Sequence, residues 1–88
     1  MKDRLYYKII WPSLIGSYSA SIDYVYTDFE LNDDRTHYII YYVDNNRTMS
    51  NEEPISFITE IENKKTLHSG THTVTRLTME EWYWDMIK

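Results

Sequence analysis

The first half of the chain carries its apolar residues in strand-like order. Leu5 to Trp11 is dense in Tyr and Ile, and Pro12, which has no backbone donor, closes it. Residues 13–16 read as a connection, with Gly16 free to take a positive φ. From Tyr18 the pattern alternates: Tyr18, Ala20, Ile22, Tyr24 and Tyr26 share one parity, and Ser19, Ser21, Asp23 and Thr27 the other. A period of two predicts a strand whose tyrosine parity faces the core and whose polar parity faces water. Asn32-Asp33-Asp34-Arg35 is turn chemistry, because Asn and Asp bond their own backbone and tolerate unusual φ. Thr36 to Val43 has no polar face: His37, Ile39, Tyr41 and Val43 alternate with Tyr38, Ile40 and Tyr42. That pattern predicts a central strand covered on both sides. It pairs with the preceding strand as an antiparallel hairpin, and Asp44 to Arg47 ends the meander.

The second half is mixed. Ser50 with Glu53 is a capping-box pair, Glu52 and Glu53 suit a helix N-terminus, and Lys64 and Lys65 suit a C-terminus. Ile55, Ile58 and Ile61, with Phe57 one step round, form a helical stripe. Ile55, Phe57, Thr59 and Ile61 also alternate, but the sum of signals favours a helix over residues 50–63. Thr71 to Leu77, after a Ser69-Gly70 turn, predicts a short strand. Thr78 and Glu81 form a second capping box, and Leu77 and Trp82 occupy the staple positions around it. Met79, Trp82, Tyr83, Met86 and Ile87 then trace the buried stripe of a C-terminal helix, with Trp84 off it. The expected fold is a single α+β domain over residues 1–88. It has an antiparallel sheet of about four strands in the order β-β-β-α-β-α, and one or two helices pack on one face.

Composition narrows the function more than it names it. There is no cysteine, so disulfides, zinc–thiolate sites and thiol nucleophiles are excluded. The run Met1–Leu5 leads into no apolar leader, and the longest apolar runs fall far short of the roughly 18 residues a membrane span needs. A cytoplasmic protein with no membrane partner is the expectation, and the acceptor-like Asn46-Arg47-Thr48 is set aside as chance. The formal charge of −5, with nine scattered basic residues, disfavours nucleic acid as a partner. One alanine against ten isoleucines, nine tyrosines and five asparagines matches AT-rich coding, a bias found in many phages and mobile elements.

No catalytic or cofactor motif emerges. His68 and His72 are four apart, but the Ser-Gly-Thr between them is turn chemistry and no third ligand stands near. His37 in an apolar strand reads as a packed histidine rather than a general base. Gly16 and Gly70 lie in no phosphate-binding pattern. No metal site, cofactor or catalytic residue is therefore expected, and the protein reads as non-enzymatic.

What remains is contact chemistry. If both helices cover one face of the sheet, the other presents Tyr6, Tyr38 and Tyr42. That surface, joined by Trp84, suits a protein interface, since Tyr and Trp dominate binding hot spots. Asp28, Glu30, Asp33 and Asp34 around the hairpin turn add an acidic patch able to steer a basic partner. The expectation is a small acidic protein-binding module, of the kind a phage or mobile element uses to bind and inhibit a host protein. A host nucleic-acid-binding protein fits as target, with carboxylates imitating phosphates. A homodimer is a further occupant of the same surface. The alternative is a single-stranded RNA or DNA binder that stacks bases on a tyrosine platform.

Overall fold

The computed structural model describes residues 3–12, 21–44 and 47–87. The connection at 13–16, Tyr18 to Ala20 of the alternating run, and Asn45 and Asn46 lie outside the described residues. The elements are β1 (Leu5–Trp11), β2 (Ser21–Thr27), β3 (His37–Asp44), β4 (Arg47–Pro54), α1 (Ile55–Asn63), β5 (Thr66–Ser69), β6 (His72–Leu77) and α2 (Met79–Ile87). All six strands join one antiparallel sheet in the order β4-β3-β2-β1-β6-β5. The α+β class holds, with six strands where about four were expected.

Two strands escaped the sequence reading, each for a physical reason. β4 (Arg47-Thr-Met-Ser-Asn-Glu-Glu-Pro54) has little β propensity, yet it pairs with β3 along its whole length. The free side of β3 needs a partner for its backbone groups, and the following segment supplies it. Pro54 decides where strand yields to helix, because proline bars the residue before it from helical backbone. The Ser50–Glu53 box therefore never forms, and α1 begins at Ile55 with Pro54 as its N-cap. β5 is only four residues long and polar. It pairs Thr66 with Thr75 and Ser69 with His72, around a turn in which Gly70 takes φ 62.

The β2–β3 connection follows its sequence closely. The Asn32 side-chain oxygen accepts the amides of Thr36 (2.9 Å) and His37 (3.2 Å), and Arg35 closes the turn with φ 59. Between strand and turn, Phe29 takes φ 62. Thr27, fully buried, donates to the Ile39 carbonyl (2.8 Å) and accepts from the Phe29 amide (3.1 Å).

The helices do not share a face. α1 carries the chain from the edge strand β4 to the edge strand β5. In crossing, it buries Ile58 and Ile61 on Leu5, Tyr7, Ile9, Val25, Ile40 and Val74. The register places all of those strand residues on one side of the sheet. α2 lies on the other side, where Trp82 packs among Tyr6, Tyr24 and Tyr26 and its indole N–H donates to the Tyr7 carbonyl at 3.2 Å. The expectation of one helical face is corrected here. A nine-residue helix on a six-stranded sheet covers only part of one face, so each face keeps open ground.

The parity of β2 is corrected with it. Val25 and Thr27 are fully buried in the main core, whereas Ile22 is exposed and Tyr24 and Tyr26 are only half-buried. The parity that looked polar faces the core, and the tyrosine parity lies under or beside α2.

Candidate functional site

The eight residues singled out from sequence scatter over both sides of the sheet. Tyr38 and Tyr42 lie on the α1 side and pack against the main core; Tyr38 meets Phe29 edge-on at 5.4 Å. Tyr6 lies on the α2 side, with its ring 5.2 Å from Trp82. The three tyrosines expected to share a face are thus separated by the sheet itself. Trp84 stands exposed on α2. Asp28 is bound by the Arg4 guanidinium through both oxygens, at 2.7 and 3.2 Å. Asp33 and Asp34 sit exposed at the hairpin tip, away from the tyrosines in sequence and turn.

A different set of aromatic residues does come together. On the α2 side, Tyr83, Tyr6, Tyr26 and Tyr41 form a row with successive ring centroids 6.3, 6.4 and 5.1 Å apart. Tyr26 and Tyr41 are stacked, and Arg4 lies 4.2 Å above the Tyr26 ring, held there by Asp28. The row exists because β1, β2 and β3 are adjacent and in register: Tyr6 faces Tyr26, and Tyr26 faces Tyr41.

The row runs onto an inverted helix. The capping box Thr78–Glu81 forms as the sequence predicts, with the Thr78 amide donating to Glu81 (2.9 Å) and the Glu81 amide to Thr78 (3.1 Å). The bond from the Thr78 amide holds the Glu81 carboxyl below its ordinary pKa. Of the predicted buried stripe, however, only Trp82 is buried. Met79, Tyr83, Trp84 and Ile87 are 53, 45, 65 and 67% exposed. At steps of 100° they fall within one half of the helix, and Trp82 lies in the other. Lys8 and Asp85, paired at 2.6 Å, and the Tyr24 hydroxyl on the Asp85 carbonyl at 3.2 Å pin the inner side.

The surroundings are acidic. Arg4 and Lys8, the cations of this side of β1, are already engaged by Asp28 and Asp85. Glu80 lies on the outer half of α2, and Glu30 stands beside Tyr41. The Tyr41 hydroxyl is held above its ordinary pKa, first by partial desolvation and then by Glu30 and Asp28, against the pull of Arg4.

Histidines do not build a centre. His68 and His72 occupy successive parities of the β5–β6 hairpin and point to opposite faces. Among the described residues, no group of three metal-ligating side chains converges. None of the described helices is long and apolar enough to cross a membrane. Comparison with protein-family models, curated proteins and solved structures finds no match.

Proposed function

We propose that this protein is a non-enzymatic binding module that grips a protein partner through the outer half of α2 and the adjoining tyrosine row. The observation that carries this reading is the exposure of Met79, Tyr83, Trp84 and Ile87 together on a nine-residue helix. Four large side chains held in water on one element, continuous with the half-buried Tyr6, Tyr26 and Tyr41, make the kind of patch that marks an interaction surface. The acidic rim selects the partner's chemistry: an apolar groove edged by Lys or Arg. A second copy of the chain is a poorer occupant, since it would bring acid against acid at a net charge of −5 per copy. The AT-rich coding bias favours a phage or mobile-element setting, in which such a module binds and inhibits a host protein. Because Arg4 neutralises Asp28, mimicry of a phosphate array has less support than a plain acidic rim.

Affinity capture with the native protein and with a Trp84→Ala, Ile87→Ser variant tests the reading. The expected result is a basic partner that weakens with salt, is lost with the double variant, and is kept by Met49→Ser on the opposite face. Retention of every captured protein by the double variant defeats the proposal. Salt-sensitive quenching of tyrosine fluorescence by oligonucleotides would move the assignment to single-stranded nucleic acid.

A further inference from the structure

On the opposite side of the sheet, a cleft of about 310 Å³ opens among the described residues beside the N-terminal turn of α1. The walls are aromatic: Trp11 from β1, Tyr42 from β3 and Phe57 from α1. Trp11 is fixed by its indole N–H on Asp23 (2.8 Å) and by the His72 ring, 4.5 Å away. Glu53, the residue before the N-cap of α1, supplies the carboxylate of the cleft.

An unpaired carboxylate distinguishes this cleft from a packing defect. The Glu53 carboxylate is half-buried, and neither a hydrogen bond nor an ion pair holds it among the described residues. Burial pushes its pKa up, and only the fields of His37 and His72 pull it back. The first turn of α1 and the two histidines would favour an anion here, but Glu53 already provides one. What Glu53 lacks, among the described residues, is a paired cation.

We propose that the cleft binds a small alkylammonium cation, with Glu53 as counter-ion and Trp11, Tyr42 and Phe57 as aromatic walls. A carboxylate within an aromatic box is the arrangement that recognises organic cations, by charge and by the negative faces of the rings. The volume stands at the low end for ligand pockets and limits the guest to a few heavy atoms. The site lies on the face opposite the aromatic row and stands or falls without it.

Titration of ¹⁵N-labelled protein with n-butylammonium chloride provides the test, followed at the Trp11 indole N–H, which Trp11→Phe assigns. A saturable shift with a dissociation constant on the order of 1 mM is expected. Glu53→Gln weakens it roughly tenfold or more. Trp84→Ala, Ile87→Ser binds the cation as the native protein does. The proposal is overturned by an unsaturable shift, by equal affinity for neutral n-butanol, or by undiminished affinity in Glu53→Gln.

Discussion

The two faces of the sheet are built on different terms. Beneath α1, eight residues from four strands and the helix are buried together, and most of them are aliphatic. Beneath α2, one residue, Trp82, is buried, and its neighbours are tyrosines that keep part of their surface in water. The first face removes apolar area from water and holds the fold. The second anchors a helix by one side chain and leaves the rest of its aromatic surface available. A small domain has too little interior to bury everything, and this one concentrates burial on one side.

That division can be broken most directly in the core. Ile58→Ala should cost about 3 kcal/mol, since a buried isoleucine loses both its transfer energy and its packing. A domain of this size holds only about 4–13 kcal/mol in total, so the urea midpoint should fall sharply. Trp82→Phe removes volume and the hydrogen bond to the Tyr7 carbonyl, and should cost about 2 kcal/mol. If it costs more than Ile58→Ala, the α2 side carries more of the fold than its burial indicates. Thr78→Ala removes the reciprocal cap of α2 and should cost about 1 kcal/mol by the same measurement.

Smaller effects sharpen the contrast between structural and contact residues. Glu53 has a raised pKa when folded, so as pH climbs from 4.5 the unfolded chain gives up its proton first. Stability is lost through that window, and the deficit persists at neutral pH. His37, His72, Tyr42 and Tyr7 are the titratable groups within its reach. Glu53→Gln should therefore melt slightly higher than the native protein at pH 7, with the gap closing below pH 4.5. A gap that persists in acid would assign the effect to packing rather than charge. Trp84→Ala with Ile87→Ser should change stability least, within about 0.5 kcal/mol, because both side chains are mainly in water. A larger loss would show that the outer half of α2 supports the fold.

The legible parts of the fold were those decided by neighbours in sequence. β1 matches its expected bounds, the Asn32 turn forms through the side-chain bonds its residues favour, and the Thr78–Glu81 box closes as written. The helical stripe Ile55, Ile58, Ile61 places the last two in the core. The candidate site was legible only in kind. Tyrosine excess and acidity pointed to a contact surface, but Tyr38 and Tyr42 turned to the core side while Tyr26, Tyr41 and Tyr83 took the open one. Alternation assigns residues to two faces without saying which face will be better covered. That is why Val25 and Thr27, on the parity that also carries Ser21 and Asp23, end fully buried.

By itself, then, the amino-acid sequence determined local features: the Asn32 turn, the Thr78–Glu81 cap, the parity of each strand and the absence of thiol chemistry. These depend on backbone preferences and hydrogen bonds spanning a few residues. Tertiary structure decided the rest. Pairing with β3 drew polar β4 into the sheet, the route from β4 to β5 laid α1 across one face, and α2 was left the other. Which tyrosines meet water follows from that long-range assignment, because burial is set by what packs above a residue and not by the residues beside it in sequence.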